Sequence, residues 1–475
     1  MDNKKLKIII NHAKNYGFIF QSSDIYNGIK SLYDYGPQGI ELKNNIKNFW
    51  WDYMVKYRKN IVGIDTSIIM SNKVWLASKH LKEFNDYYIK NKLNNKIYIL
   101  KNFLLKIINN NNLKIKNKKK ILFFFKKKKI KKLNIYLKKI ILKYKLLNKY
   151  KFNKIKKFNL MFKTKINFLK KNKNIYLRPE TAQGIYINIK NVKNSNRLKI
   201  PFGIAQIGKS FRNEIITKQF IFRMKEFEQM EMQYFIYPGE EKKWFKYWIK
   251  KRLIWHLFFK LGKKNYKLKK HKNLSHYSKF ATDITFKYFD KYKELEGIHF
   301  RKNYDIKNHI KLSKKNLYFY NIKKKKKFIP YVIETSLGLD RVFYSIFINS
   351  FKIVNINNNN RIFLKLPYFL SPIKIAILPL IKKNKKIIKI SKKIYNKFKY
   401  IYNVVYEINN SIGKRYKIQD SMGTPFCITI DINSIKNKTV TIRYRDTMKQ
   451  IIYKIKKLHF FFKKKFNINN FYKKN

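Results

Sequence analysis

The stretch FRNEIITKQFIFRMKEFEQMEMQYF, Phe211 to Phe235, decides the fold. In QMEMQY (Gln229–Tyr234) polar and apolar residues alternate strictly, the period of a half-buried strand. FRNEI (Phe211–Ile215) predicts a second strand with Arg212 and Glu214 on one face, and the loop around Thr217–Gln219 joins the two as an antiparallel hairpin. One face then carries Arg212 and Glu214 on one arm, with Phe227, Gln229 and Glu231 on the other. A simple amphipathic hairpin with a salt-bridged outer face would give the same alternation. Arginine, glutamates and a stacking aromatic together, however, make a poor core and a specific surface. Glu226 and Glu228 fall on the opposite face and read as solvent-exposed or salt-bridging residues.

Those glutamates stand out against the rest of the chain. Among 475 residues there are 26 acids and 111 basic residues, a formal charge of +85. Four acids fall inside the opening stretch, while none lies between Asp86 and Glu180. The charge has two compatible sources. Lys and Arg neutralise phosphates and favour nucleic-acid binding. Lys, Asn, Ile, Phe and Tyr also share AT-rich codons, and all are swollen together. A single cysteine, Cys427, precludes an intrachain disulfide and a cysteine-based zinc cluster. No apolar run is long enough for a membrane span, and MDNKKLKIIINHAKNYGF holds too short an apolar segment for a secretory signal. No organellar transit peptide is expected either, so a soluble cytoplasmic protein is.

Three textures divide the chain. Residues 17–86 and 176–345 have mixed composition, and residues 87–175 form a Lys/Asn-rich block whose poor periodicity predicts partial disorder. From about Arg361 a third region opens with LKLPYFLSPIKIAILPLIKK, after a linker-like break at Asn355–Arg361. The expected domains are a catalytic one over 1–86 and 158–354, a basic insertion over 87–157, and a C-terminal one over 361–475. In YDYGPQGIELKNNIKNFWW, Leu42, Ile46, Phe49 and Trp50 share one helical face and predict a core helix. The six tryptophans are core candidates. His276 and His309 have no partner at a metal-binding spacing and read as ordinary.

Arg212 and Glu214 with Phe227 match the second signature motif of class II aminoacyl-tRNA synthetases. YLRPETAQGIYINIKNV (Tyr176–Val192), LKIPFGIAQIGKSFRNEI (Leu198–Ile215) and FIFRMKEFEQMEMQYF (Phe220–Phe235) narrow the resemblance to the dimeric type of glycyl-tRNA synthetase. So do Gly17–Trp51, ELEGI (Glu294–Ile298), IETSLGLDR (Ile333–Arg341) and GKRYKIQDSMGTPFC (Gly413–Cys427). It covers nearly everything except 87–157 and the linkers.

The resemblance implies an α/β fold: an antiparallel catalytic sheet flanked by helices, followed by an α/β anticodon-binding domain with strands in IKIAILPL, GKRYKIQDSMGTPFCITID and TVTIRYRDT. It implies that glycine and ATP give glycyl-adenylate and that the glycyl group passes to the 3′-end of tRNA(Gly). Arg212 would contact the α-phosphate, Glu214 the adenine amino group, and Phe227 the adenine ring. Asn213, Phe222, Arg223, Glu294, Leu295, Gly338, Asp340 and Arg341 complete the expected ATP site, with Arg212 and Arg341 as the catalytic arginines. Glu294 is a candidate magnesium contact. Glu180, Phe227, Glu231, Arg301, Glu334 and Ser336 are expected around glycine. A homodimer with Pro37 near its interface is implied, with ATP and magnesium, no zinc and no membrane partner. In the third motif Thr335 replaces the family's usual proline, which would loosen a loop. A degenerate RNA-binding relative without catalysis, a nonspecific polycation, and a prolyl- or threonyl-type enzyme remain alternatives.

Overall fold

A computed structural model describes residues 3–110, 130–143, 151–168, 171–215, 220–271, 280–322, 324–356 and 359–468. The chain divides into two compact units, one of Met1–Ser67, Glu180–Ser210 and Gln219–Asn475, the other of Ile68–Pro179 and Phe211–Lys218.

The first unit is organised by a seven-stranded sheet. Its strands are β1 (Ile61–Gly63), β2 (Phe202–Phe211), β3 (Glu226–Ile236), β4 (Tyr266–Lys270), β5 (Phe280–Tyr288), β6 (Lys291–Lys302) and β7 (Tyr331–Gly338). They lie in the order β4-β5-β6-β7-β3-β2-β1. The pairs β4/β5, β5/β6, β6/β7 and β7/β3 are antiparallel, while the short β1 runs parallel to β2.

The helices α1 (Pro37–Trp51), α2 (Glu241–Leu257) and α3 (Leu339–Ser350) bury apolar faces in the sheet's main core. As expected, Leu42, Ile46, Phe49 and Trp50 of α1 are all buried. They fall near the 3.6-residue period that stacks side chains on one helix face. Pro37 opens α1, where its missing N–H costs nothing.

Two local expectations are corrected. The strand at the start of FRNEI ends at Phe211: the Glu214 N–H turns back to the Arg212 carbonyl at 2.7 Å, so these two residues are not on one face of a strand. The loop expected around Thr217–Gln219 falls outside the described residues. Strand β3 is not half-buried. From Gln229 onward both of its faces are buried, including polar Gln229, Glu231 and Gln233. Buried polar side chains persist only where hydrogen bonds satisfy them, so this face must carry a polar network.

After α3 the described residues of the break expected as a linker at Asn355–Arg361 belong to two antiparallel strands, Phe351–Ile356 and Asn359–Leu364. Arg361 lies within the second of these, 2.7 Å from Asp420. A five-stranded sheet follows, with β8 (Ile375–Pro379), β9 (Val404–Tyr406), β10 (Phe426–Ile430), β11 (Thr439–Tyr444) and β12 (Gln450–Lys454) in the order β9-β8-β10-β11-β12. Within GKRYKIQDSMGTPFCITID the expected strand is β10, confined to the end of the segment, while GKRYKIQDSM lies in the helix α4 (Ile412–Met422). Gly423 ends α4 at φ +84°, the left-handed backbone that favours glycine, and an added Cβ would meet Leu366 Cδ1 at 2.8 Å.

In the second unit, part of the Lys/Asn-rich block is folded. A helix over Leu100–Asn110 buries Leu100, Phe103, Leu104 and Ile107, and one over Ile130–Lys143 buries Leu133, Leu137 and Ile141 in the same cluster. Their spacing is helical, hidden at sequence level by lysines with long apolar stems on neighbouring positions.

Candidate functional site

The register of the sheet gathers one polar face in the first unit. Glu231 on β3 is opposite Ser336 on β7, and Gln233 is opposite Glu334. On the other side of β7, Ser336 faces Gly297 and Glu334 faces His299 on β6. Directly opposite residues share a face, so Glu231, Gln233, Glu334, Ser336 and His299 line it together.

Glu231 is fixed by four donors. Its Oε2 accepts from the Thr181 N–H at 3.1 Å and from the Thr181 hydroxyl; its Oε1 accepts from Gln229 Nε2 at 3.0 Å and from the Ser336 hydroxyl. Glu334 accepts from Gln233 Nε2 at 3.0 Å, from Arg301 Nη1 at 3.2 Å and from the His299 ring at 3.1 Å. Arg301 is gripped in turn by Asp305, Nε to Oδ2 at 2.9 Å and Nη2 to Oδ1 at 3.1 Å, the two-pronged geometry suited to a guanidinium. Gln183 donates to Glu180 at 2.9 Å and to Asp305 at 3.0 Å, and its own oxygen meets His309 at 3.0 Å.

The electrostatics are lopsided. Burial, reinforced by the Glu334 and Glu180 carboxylates, raises the Glu231 carboxyl to about 7. Burial would also raise Glu334, but the Arg301 guanidinium and the His299 hydrogen bond outweigh it and hold Glu334 down to about 2. Three carboxylates (Glu180, Glu334, Asp305) thus surround one guanidinium, and Glu231 lies beside two of them, in a chain of charge +85. Such an excess of carboxylates around a buried polar face is chemically suited to a small cation with hydrogen-bond donors.

The candidate ATP residues of this unit lie toward one end of the sheet. Arg341, in the first turn of α3, holds its guanidinium 4.8 Å over the Phe222 ring and 3.4 Å from Glu294. Glu294 reaches it because β6 carries a bulge. Thr285 pairs with Glu294 and Ile284 with Glu296, leaving Leu295 as the extra residue. Glu294 and Glu296 consequently point to opposite faces. Glu294 is exposed, whereas Leu295 and Glu296 are buried.

Asp340 is occupied by structure: it accepts from the Tyr35 hydroxyl at 2.5 Å and the Glu228 N–H at 2.8 Å, and pairs with Lys43 at 3.3 Å. Gly338 caps α3, Phe227 packs against the core, and Arg223 is exposed. Glu226 pairs with Lys209 at 2.5 Å and Glu228 with Lys43 at 2.6 Å, the structural ion pairs expected of them.

Arg212, Asn213 and Glu214 belong to the second unit. There Arg212 Nε donates to the Pro179 carbonyl at 3.0 Å and its guanidinium lies 5.5 Å from the Phe84 ring centroid, while the Asn213 N–H bonds the Leu160 carbonyl at 2.7 Å.

Sequence reasoning missed Thr181, Gln183, Gln233, His299 and Asp305. Gln233 was within reach, since it continues the alternation of Gln229 and Glu231. His309 is no bystander either, because it orients Gln183. His276 lies outside the described residues. Thr335 sits inside β7, paired with Met232 and Ile298, so the expected loosened loop is an ordered strand.

The tRNA synthetase class II core domain (G, H, P, S and T) matches residues 162–351, and the anticodon binding domain matches residues 374–465. A glycine–tRNA ligase of Borrelia hermsii is 41% identical over 94% of both chains. That of Chlorobaculum tepidum is 39% identical over 93% of this chain and 96% of its own, and that of Mycoplasma capricolum is 40% identical over 98% and 100%. A solved structure titled as the RNA binding domain of threonyl-tRNA synthetase from Cryptosporidium parvum superposes with a TM-score of 0.62 at 15% identity, over 95% of this chain and 96% of that one; it speaks for the fold alone. With relatives of this similarity spanning nearly its whole length, the chain belongs to the glycine–tRNA ligase family of class II aminoacyl-tRNA synthetases.

Proposed function

We propose that the chain activates glycine with ATP and transfers the glycyl group to the 3′-end of tRNA(Gly), and that the carboxylate cluster around Glu231 is where the glycine ammonium is bound. The observation that carries this reading is the buried Glu231 carboxyl, set beside the Glu334 and Glu180 carboxylates and held in place by Thr181, Ser336 and Gln229. An ammonium offers three donors and one positive charge to such a site. Glu180 and Glu334 share in the attraction, and Arg301, fastened by Asp305, is poised for the substrate carboxylate. A larger amino acid meets a packed wall of polar groups rather than an empty pocket, and excluding bulk needs no editing step.

Activation joins the glycine carboxylate to the α-phosphate and expels pyrophosphate, so the protein's task is positioning and charge stabilisation. Arg341, seated on Phe222, is assigned to the terminal phosphate, with Arg223 nearby in sequence. Arg212 is assigned to the α-phosphate, with Asn213 and Glu214 at the nucleotide and Phe227 stacked on adenine. Leu295 has its side chain in the core and Asp340 has its carboxylate engaged, so both serve ATP through backbone position. Magnesium bridges the phosphates of ATP and is held by few protein carboxylates. Glu294, with its side chain 53% exposed beside Arg341, fits that role. The C-terminal sheet is assigned to the anticodon, the basic surface to the tRNA backbone, and the working form to a cytoplasmic homodimer. No described helix is long and apolar enough to cross a membrane.

The test is ATP–pyrophosphate exchange with glycine, alanine, serine, proline and threonine offered separately, with Glu231→Ala alongside. Exchange with glycine alone, lost in the variant, is expected. Exchange with another amino acid overturns the assigned pocket. Folded, tRNA-binding protein without exchange favours a noncatalytic relative.

A further inference from the structure

A second cluster on the same sheet face shares His299 with this site, but its other members, His271 and Asp283, are used by none of these steps. His271 directly follows β4, and its N–H continues the ladder to the Ala281 carbonyl on β5 at 3.0 Å. Ala281 is opposite His299, which is opposite Glu334. One row across four strands therefore reads His271, Ala281, His299, Glu334. The small Ala281 side chain leaves the space above it to the two imidazoles, whose ring centroids are 6.1 Å apart. Two residues along β5 stands Asp283, opposite Gly297. A Cβ on Gly297 would lie 2.6 Å from His299 Cε1, so the absence of a side chain there is what lets the imidazole lean toward Asp283.

His271 Nε2 is 2.7 Å from Asp283 Oδ2, and His299 Nε2 is 3.9 Å from Asp283 Oδ1. One ligand atom from each of the three residues lies within 4.8 Å of the others. On its other nitrogen, His299 Nδ1 meets Glu334 Oε2 at 3.1 Å. The Glu334 carboxylate accepts from Nδ1, so Nε2 is the ring nitrogen turned toward Asp283. Two imidazole nitrogens and one carboxylate thus converge on one point of the sheet face.

We propose that His271 Nε2, the Asp283 carboxylate and His299 Nε2 bind one divalent transition-metal ion of the zinc class, with water completing the coordination. Two imidazoles and one carboxylate suit such an ion and are ill suited to magnesium or calcium, which take oxygen ligands. The Glu334–His299 hydrogen bond has the form that commonly orients metal-bound histidines and strengthens them as ligands. Side-chain exposures of 36% for His271 and 31% for His299 leave a route for entry. The expected lack of zinc rested on missing cysteines and has no bearing on imidazole and carboxylate ligands. The ion would fix the ring whose other nitrogen positions Glu334, making His299 a positioning residue for the amino-acid site.

The inference stands apart from the catalytic reading, because its test is metal content and ligand-field absorption rather than aminoacylation. Untagged full-length protein is dialysed against zinc and analysed for metal, and separately titrated with cobalt(II). One zinc per chain and a visible cobalt spectrum of low-coordinate nitrogen–oxygen type are expected. His271→Ala and Asp283→Ala should each bind at least about 100-fold more weakly, and Glu334→Gln about 10–100-fold more weakly, with circular dichroism confirming that the variants are folded. Substoichiometric zinc, or undiminished binding in folded His271→Ala/Asp283→Ala protein, overturns the assignment.

Discussion

Glu231 and Glu334 lie on adjacent strands of one sheet face, yet their surroundings drive them in opposite directions. Glu231 sits at about 7 against an ordinary value of 4.5 because burial and two neighbouring carboxylates oppose its charge. Between these values the folded chain holds a proton that the unfolded chain has released, so this group takes stability away as pH rises from about 4.5 to about 7. Glu334, held down to about 2 chiefly by Arg301 and His299, contributes stability above its ordinary range and loses it as pH falls toward 2. Glycine binding should need Glu231 ionised. Its dissociation constant is therefore expected to rise toward tenfold per pH unit once pH falls below about 7, measured by calorimetry across pH 5.5–8. In Glu231→Gln, binding should weaken by about 2–5 kcal/mol and lose this pH dependence. A pH-independent wild type would remove Glu231 from the ammonium site.

At the scale of elements, the bulge at Leu295 divides β6 between two tasks. It turns Glu294 toward Arg341 and sends Glu296 to the other face, against α2. There Glu296 meets Arg252 at 2.6 Å and His256 at 2.7 Å, all three fully buried. Burial would raise the Glu296 carboxyl, but Arg252 and His256 outweigh it and leave the group lowered. Its contribution is accordingly present above the ordinary carboxylate range and lost in acid. Removing one partner of a buried ion pair strands the other charge, so Glu296→Gln should cost about 3–5 kcal/mol. Urea unfolding at neutral pH measures this; a loss below about 1 kcal/mol would mean that α2 is held by the apolar contacts of its own Trp248 and Trp255 alone.

For the whole molecule, a formal charge of +85 repels itself. Salt screens that repulsion, and a bound polyanion neutralises it while favouring the folded state by mass action. The melting temperature is expected to rise between about 50 and 500 mM salt and again on adding tRNA at low salt, while tRNA affinity falls steeply as salt increases. A melting temperature indifferent to both would show that the positive charges are too dispersed to strain the fold.

The sequence by itself determined the core helix through Leu42, Ile46, Phe49 and Trp50, the strand through Gln229–Tyr234, the glutamate-rich face and the family, because each rests on local period or on a contiguous motif. It could not determine where FRNEI leaves the sheet, since a turn closed by the Glu214 N–H on the Arg212 carbonyl has no apolar period to betray it. Nor could it separate helix from strand in GKRYKIQDSM, where polar residues leave the pattern weak. Tertiary structure alone decided which distant side chains share a face. Asp305, Gln183 and His299 look ordinary in sequence and join the glutamates only through strand register and the turn into the helix Tyr304–Ser313. Register is a pairing between residues tens of positions apart, and a single-residue bulge inverts it, so no local pattern in the chain encodes it.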